Sequence, residues 1–459
     1  MNAIIVAALW GVLMMYAGFV AKGRSTNLLA VTGVIVLLVV NWLEYLGLTI
    51  FNIDTKGMLV YNSFGLLFNE VILFATLMYF LLSGQELGKS NKTPSDLYAL
   101  IFFILAGIAI IAGFKSLLML FIGIEIVSIP LYVLAGSAKT NLKSNEAALK
   151  YFLMGSFSTG LMLMGIAFLY GDAGTFFLEG INAGMGIITP MKGIGLVLLL
   201  ASMSFKVSAA PFHFWTPDVY DGSPTVFTSF MATIVKSAGF FAFLKLFESA
   251  FGNIHREWQT LMAVIVLLTL VIGNVTAVFQ QSVKRMLSYS SIAQAGFMLL
   301  GIFALNVFAK QGMILYFAAY SLATIAIFAV LARFKDDSIE SFNGFARRQP
   351  LVAMSLLVSF LSLAGIPLTA GFFAKYFMLL AVLKDATMLW LVVVAILCAA
   401  VSVYYYFRVI QAMYFKDLTA DQEQQQLPEF NRAFKIIILI NSLLILALGI
   451  HPDWLTNLL

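Results

Sequence analysis

The stretch GIGLVLLLASMSFKVSAAPFHFWTPDVYDGSPT, residues 193–225, starts as an apolar run and ends in prolines, a histidine and two aspartates. Its apolar part carries one ionisable residue, Lys206. Pro211 removes a backbone donor and interrupts a helix, and non-helical backbone at membrane depth is tolerated only where it faces protein or a water-filled cavity. The stretch therefore predicts a discontinuous membrane helix with a lysine beside its break.

Composition extends this prediction to the whole chain. Of its 459 residues, 61% are hydrophobic and 11% are charged, whereas soluble domains carry about 25% charged residues. Apolar runs long enough to cross a hydrocarbon core of about 30 Å recur from end to end, and they predict an all-α polytopic membrane protein with about fourteen spans. The fifth, seventh, eighth, tenth and twelfth spans are placed near residues 116–136, 193–215, 223–249, 286–308 and 350–382.

The distribution of basic residues predicts the orientation. Fifteen of the 27 Lys and Arg residues fall in odd-numbered joints between spans, and six fall in even-numbered joints. Because Lys and Arg are retained on the cytoplasmic side, we expect the odd joints inside and both termini outside. The same bias explains the net charge of +5, so we do not interpret that charge as a nucleic-acid signal.

A second break is predicted five spans after the first. The twelfth span is interrupted by LAGIPLTAGFFAK, residues 363–375, which contains Gly365, Pro367 and Gly371. Paired interruptions in corresponding spans indicate inverted repeats. We therefore divide the chain into an N-terminal three-helix segment (1–96), two inverted five-helix repeats (97–249 and 258–414), and a C-terminal loop with the last span (415–459).

Four ionisable residues lie deep in predicted spans: Glu125 in the fifth, Lys206 in the seventh, Lys236 in the eighth and Lys375 in the twelfth. A charge at the bilayer centre costs about 2.5–3.5 kcal/mol even on insertion scales, so such residues face the protein interior or a wet cavity. Burial and a nearby carboxylate act in opposite directions on the proton affinity of a lysine. The set is suited to taking up and releasing protons. The alternative is a buried ion pair that only holds helices together.

Other polar residues lie nearer the span ends. Lys150 begins the sixth span and is either a snorkelling anchor or an inner-side link to the central charges. Lys284 opens the tenth span, which continues into a polar stripe that either carries hydrogen-bonded water or packs helices together; its members are Ser288, Tyr289, Ser290, Ser291 and Gln294. We group Lys284 and Tyr289 with His213, which follows the first break, as a secondary proton path. Three further residues within a turn or two of span ends are expected to snorkel to the interface: Lys245, Glu248 and Arg408.

Sequence motifs for electron carriers are absent. The chain has no Cys-x-x-Cys pair and no Gly-x-Gly-x-x-Gly after a strand, and its three histidines lie near span ends or in joints. Iron–sulfur clusters, bound nicotinamide and bis-histidine haem are therefore disfavoured, as is an ATP-driven pump, because a phosphate-binding loop is also missing. The single cysteine, Cys398, is interpreted as a structural thiol. We expect a chain that moves ions without redox chemistry of its own and binds no cofactor or metal.

Three segments resemble one family. They are FKVSAAPFHFWTPDVYDGSPTVFTSFMATIVKSAGF (205–240), VKRMLSYSSIAQAGFMLLG (283–301) and LAGIPLTAGFFAKYFML (363–379), and they are similar to segments of the antiporter-like membrane subunits of respiratory complex I. The likeness covers approximately residues 60–415. The chain lacks the long lateral helix of subunit L and has Lys375 where subunit M has a glutamate, which favours the branch related to mitochondrial subunit 2. Multi-subunit sodium/proton antiporters share the central motif.

The resemblance implies a proton path made of five residues. Its members would be Glu125, which modulates Lys206 on the broken seventh helix; Lys236, the central connecting lysine; Lys375, on the exit side of the broken twelfth helix; and Lys150, near the inner side. The family often has a histidine or another titratable group in the tenth span, where this chain has Gln294. Water would replace a side-chain relay at that position.

The resemblance also implies proton translocation in an NADH:quinone oxidoreductase, coupled to quinone reduction elsewhere in the complex. Other subunits would hold NADH, FMN, iron–sulfur clusters and the quinone. The expected partners are other membrane subunits of complex I, including antiporter-like ones, and the lipid bilayer of a bacterial inner membrane, without nucleic acid. Two alternatives stay open: a subunit of a multi-subunit cation/proton antiporter without redox partners, and a scaffold whose buried charges only lock helices.

Overall fold

The computed structural model describes residues 1–20, 24–90, 94–183, 188–385, 388–417 and 428–459. Within these ranges the chain forms twenty α-helices and no β-strand. Part of the predicted C-terminal loop, 418–427, lies outside them. The helices are α1 (Asn2–Val20), α2 (Arg24–Tyr45), α3 (Ser63–Ser90), α4 (Pro94–Gly113), α5 (Leu117–Ala135), α6 (Leu142–Ala173), α7 (Leu178–Ala183), α8 (Pro190–Lys206), α9 (Trp215–Gly222), α10 (Thr225–Phe230), α11 (Lys236–Phe251), α12 (His255–Val278), α13 (Val283–Ala304), α14 (Val307–Leu331), α15 (Phe345–Arg348), α16 (Pro350–Ala364), α17 (Ala370–Asp385), α18 (Leu389–Phe415), α19 (Arg432–Ile450) and α20 (Asp453–Thr456).

Eleven helical elements in the described ranges are long and apolar enough to cross a membrane. One of them, Thr225–Val278, is 54 residues long and comprises α10, α11 and α12 with the short helical turns that join them. The predicted class, an all-α polytopic membrane protein, is confirmed. The count of about fourteen spans stays a prediction, because the two interrupted spans are divided into pieces too short to cross alone and the predicted eighth and ninth spans fall in the one 54-residue element.

The chain divides into two compact units. The first comprises 1–77, 87–224 and 234–265, and the second comprises 78–86, 225–233 and 266–459. In the first unit α4 is central: 83% of its span is buried, and α1, α5 and α11 pack on it. In the second unit α13 and α14 are central, each with 94% of its span buried, and α16 and α17 pack on α14. The predicted boundaries of the two five-helix repeats stay a prediction.

Several helices begin at side chains that cap free backbone N–H groups. A cap of this type satisfies one of the four unpaired donors at a helix start. Proline occupies the first turn of α8 and α16, where its missing N–H costs nothing. The capping side chains are Ser116 for α5, Asn141 for α6, Thr189 for α8, Ser282 for α13, Asn306 for α14 and Asn431 for α19.

The first predicted break is present between α8 and α9. Helix α8 ends at Lys206, and residues 207–210 continue as a fully buried turn without regular helix. The backbone N–H of Val207 still bonds to Met203 O, and Trp215 Nε1 donates to Phe205 O at 3.1 Å. Residues 207–210 are thus enclosed by protein, the condition under which a membrane tolerates irregular backbone, whereas Phe214 at the end of the break is 71% exposed.

The second predicted break is present between α16 and α17. Helix α16 ends at Ala364, and Gly365 follows with φ +83°, the left-handed conformation that a glycine adopts without strain. Gly371 then brings α17 against α16 so closely that a Cβ there would lie 1.8 Å from Ser362 O. Like the first break, this one is partly uncovered by the chain: Leu368 is 69% exposed.

Candidate functional site

In the first unit, Glu125 and Lys206 each form a hydrogen bond with a hydroxyl group, Glu125 with Thr159 and Lys206 with Ser128. Lys206, the last residue of α8, donates from Nζ to Ser128 Oγ at 3.0 Å. Thr159 on α6 donates to Glu125 Oε1 at 2.8 Å. Ser128 follows Glu125 by three residues on α5, a spacing that makes them neighbours on one helix face. The serine therefore stands beside the carboxylate and holds the lysine.

Glu125 and Lys206 do not form an ion pair within 4.0 Å in the part of the chain that the structure describes. Glu125 still exerts a Coulomb attraction on Lys206. Both residues are partly exposed on the surface of the chain, whereas Ser128 is buried. We call this arrangement an open pair: the carboxylate attracts the ammonium, which is hydrogen-bonded to Ser128 instead.

Lys236 lies where its helix changes geometry. It is 2% exposed and begins α11 directly after a π-helical turn, Met231–Val235. Such turns are rare and occur frequently at functional sites. The structure therefore places Lys236 deep inside the protein, as its central position in the predicted eighth span implied.

Lys150 and His213 lie near the first break but in different surroundings. Lys150 is half-exposed on α6 and pairs with Glu146 at 2.8 Å and with Asp218 of α9 at 2.9 Å. His213 is buried, and its ring lies 4.5 Å from that of Phe214. In the structure, Lys150 belongs to a surface ion cluster that links α6 to α9. A role as an inner-side link stays a prediction.

The second unit gives Lys375 backbone partners in place of an acid. Its Nζ donates to Leu363 O at 2.9 Å and to Ala364 O at 3.0 Å, the last two carbonyls of α16. The ammonium also lies 4.8 Å from the ring centroid of Phe297, within range of a cation–π attraction. A cation at a helix C-terminus interacts favourably with the helix dipole. The second broken helix thus holds its lysine at its own break.

A buried polar cluster adjoins Lys375. Gln294 Nε2 donates to Leu363 O at 2.9 Å and to Tyr406 Oη at 3.1 Å. Tyr316 Oη donates to Gln294 Oε1, and Ser290 Oγ bonds to Tyr406 Oη. These four residues, from α13, α14 and α18, are each 2% exposed or less. Part of the predicted polar stripe therefore bridges helices.

Two other serines of that stripe bond within their own helix. Ser288 and Ser291 donate to backbone carbonyls of their own helix, Lys284 O and Ser288 O. Lys284 is buried in the first turn of α13. Tyr289 is only half-buried, and its hydroxyl bonds to none of the described residues. The secondary proton path through Lys284, Tyr289 and His213 stays a prediction.

The expectation that Lys245 snorkels to the interface is wrong. The residue is 8% exposed, its Nζ donates to Ala112 O at 2.8 Å, and the nitrogen lies 4.9 Å from the ring centroid of Phe114. The last carbonyls of a helix have no partner within the helix, so the end of α4 supplies an acceptor that draws the lysine inward. Arg408 likewise donates to two carbonyls at the end of α12, Val278 O and Gln280 O.

Comparison with known proteins identifies the family. The family model described as NADH:quinone oxidoreductase/Mrp antiporter, TM, matches residues 115–402. A protein of Cytophaga hutchinsonii named NADH-quinone oxidoreductase subunit N is 39% identical over 467 residues, which cover 100% of this chain and 99% of that protein. A protein of the same name from Flavobacterium psychrophilum is 36% identical over 468 residues, covering 100% of both. The chain belongs to the NADH-quinone oxidoreductase subunit N family.

Solved structures agree with this assignment. A chain of respiratory complex I from Thermus thermophilus with bound aureothin superposes with a TM-score of 0.84 at 31% identity, over 99% of this chain and 98% of that one. A chain of the Mrp complex from Dietzia sp. superposes with a TM-score of 0.86 at 19% identity, over 100% and 95%. The second match shows a shared fold alone. Sequence identity, and not shape, separates the subunit N family from the antiporter subunits.

The family match spans Glu125, Lys150, Lys206, Lys236 and Lys375. Their roles stay predictions, as does the expectation that the chain binds no cofactor. The structure also reveals partners that the sequence interpretation missed. Ser128 could have been found from its spacing, since it follows Glu125 by three residues. The Leu363 carbonyl and the hydroxyl of Tyr406 gave no sequence signal, because they are brought to Lys375 and Gln294 by packing alone.

Proposed function

We propose that this chain is a proton-translocating membrane subunit of an NADH:quinone oxidoreductase, in which quinone reduction elsewhere in the complex drives proton transfer along buried lysines. The observation that carries the proposal is the pairing of each broken helix with a buried or half-buried lysine in a chain of the subunit N family. A lysine held this way is a proton carrier whose affinity depends on its neighbours.

In the first unit, the open pair of Glu125 and Lys206 is the element that responds to the rest of the complex. Rotation of Lys206 between Ser128 and Glu125 changes the electrostatic surroundings of the ammonium, and with them its tendency to hold a proton. Lys236 receives the proton inside the protein, and Lys375 performs the corresponding step in the second unit. Lys150 supports the inner end of the path.

The chain itself carries out no redox step in this proposal. NADH, FMN, iron–sulfur clusters and quinone are bound by other subunits, and the chain is a translocase component. Its partners are other membrane subunits of the complex, including antiporter-like ones. It lies in a bacterial inner membrane with both termini outside.

The test measures protons pumped per electron in proteoliposomes that contain the assembled complex. We expect Lys206→Ala to assemble, to reduce quinone when the membrane is uncoupled, and to pump fewer protons per electron. Glu125→Gln should lower coupled turnover because the attraction on Lys206 is lost. Lys143→Ala, an exposed lysine at the start of α6, is the control and should pump normally. Normal pumping by Lys206→Ala would overturn the proposed path.

The antiporter alternative is less favoured because the whole-length relatives that are 36–39% identical are named subunit N, whereas the Mrp chain is 19% identical. Purification distinguishes the two. A complex I subunit copurifies with iron–sulfur and flavin absorbance, and a free antiporter subunit does not.

A further inference from the structure

The carbonyl groups that bind Lys375 are available because of the way α16 ends. Gly365 N donates to Leu361 O and Ser362 O, and Ile366 N donates to Leu361 O, each at 3.0 Å. This capping leaves the carbonyls of Leu363 and Ala364 without a backbone donor, and both bind Lys375 Nζ. The break therefore creates a fixed pair of acceptors for one amine.

Two fixed acceptors determine where the proton of Lys375 is exchanged. A charged lysine has three N–H donors, and two of them are used by the carbonyls. After loss of a proton, two N–H groups remain for the same carbonyls, and the lone pair takes the third position. In both states the exchangeable position faces away from the carbonyl pair. A cavity with room for about one water molecule is lined by Lys375 together with Tyr316, Ser362 and Gly371 among others.

Gln294 fixes one of the two carbonyls. Leu363 O can only accept, so the bond at 2.9 Å assigns the NH₂ end of the amide to that carbonyl. The amide oxygen must then face Tyr316, which donates to it, and the second N–H is used by Tyr406. Every polar atom of this buried side chain has a partner in a single orientation. A carbonyl has two lone pairs, so Leu363 O binds Gln294 and Lys375 together.

We propose that Gln294 is a positioning residue for Lys375: by holding the Leu363 carbonyl, it aims the exchangeable position of the amine at the adjoining cavity. The amide does not titrate, so it orients the transfer without carrying the proton. Loss of the Gln294 donor frees the carbonyl to turn and the amine to turn with it. This inference rests on the proposed function, because it assigns Gln294 a role in the proton exchange of Lys375.

The experiment compares three variants in the assembled complex by protons pumped per electron. Gln294→Met keeps the length and volume of the side chain and removes its donors. Gln294→His restores a donor, because the ring Nε2 lies as many bonds from Cβ as the amide nitrogen does. Lys375→Met measures the loss when the exchanging group itself is missing. Gln259→Met, another buried glutamine, is the matched control.

We expect Gln294→Met to lower the proton-to-electron ratio by most of the fraction lost in Lys375→Met, and we expect Gln294→His to recover most of the wild-type ratio. Gln259→Met should pump as the wild type does. The amount of assembled complex should stay unchanged in all four variants, since a purely structural defect would lower it together with pumping. Uncoupled quinone reduction should stay unchanged in Gln259→Met.

The outcomes separate the inference from the function beneath it. If Lys375→Met pumps normally, the proposed path through Lys375 is refuted. If Lys375→Met fails and Gln294→Met pumps normally, the path stands and the positioning role is overturned. Should Gln294→Met fail to assemble, Tyr316→Phe removes only the hydroxyl that holds the amide oxygen. That variant should then show a smaller loss of pumping, and a wild-type ratio would overturn the inference.

Discussion

Ser128→Ala tests the open pair in the first unit. The substitution removes the side-chain acceptor that binds Lys206 Nζ at 3.0 Å. A hydrogen bond to a charged group contributes about 1.5–3 kcal/mol, and a factor of ten in an equilibrium corresponds to about 1.4 kcal/mol. Because Lys206 is partly exposed, we take the lower end of that range. The balance between the Ser128-bound and Glu125-paired positions should therefore move toward Glu125 by roughly tenfold.

The assay is the number of protons pumped per electron in proteoliposomes, together with uncoupled quinone reduction. Ser128→Ala should assemble and reduce quinone, but its lysine should stay paired with Glu125 and pump fewer protons per electron. Ser158→Ala is the matched control: it removes a buried hydroxyl of the same unit that bonds to another serine, Ser202, at 3.2 Å. A wild-type ratio in Ser128→Ala, or an equal loss in Ser158→Ala, would refute the reasoning.

Two further substitutions test packing and helix capping. Gly371→Ala places a Cβ 1.8 Å from Ser362 O, so α17 must move away from α16. Native electrophoresis should then show less assembled complex. The control is Gly160→Ala, which has no atom within 4 Å of its Cβ and should assemble normally. Lys245→Met leaves the Ala112 carbonyl without its side-chain donor. We expect about 1–3 kcal/mol of destabilisation, measured as a lower melting temperature of the complex. An unchanged melting temperature would contradict the capping role, and a lower proton-to-electron ratio would add Lys245 to the path.

The sequence was sufficient to predict the membrane class, the two broken helices and the burial of Lys236 and Lys375. These features follow from local causes: apolar run length, proline chemistry and the cost of burying charge. The same logic failed for Lys245, because nearness to a span end gives no information about which carbonyl lies opposite. Only the packing of α11 against α4 supplied Ala112 O as its partner.

The partners of Lys375 were beyond sequence interpretation for a related reason. Titratable residues are visible in a sequence, whereas a free main-chain carbonyl is visible only once the helix end is known. Gln294 and Tyr406 are 112 residues apart, so no local pattern could pair them. Gln294 stands where the family often has a titratable group, and the sequence led us to expect water in place of that group. The bond from Gln294 to Leu363 O could not be predicted.

The two broken helices differ in whether a substitution can remove the groups that hold their lysines. Lys206 is bound by the Ser128 side chain and attracted by the Glu125 side chain, and a substitution at either position removes that group. Lys375 depends on main-chain oxygens that every amino acid carries, so no substitution at position 363 or 364 deletes its acceptors directly. Inactivating mutations in the second unit should therefore fall on the residues that shape the break, such as Gly365 and Gly371, on the lysine itself, and on Gln294, which holds the Leu363 carbonyl. A saturation screen would find the first site sensitive at the two side chains that meet Lys206. It would find the second site tolerant at positions 363 and 364 but sensitive at the glycines of the break, at Lys375 and at Gln294.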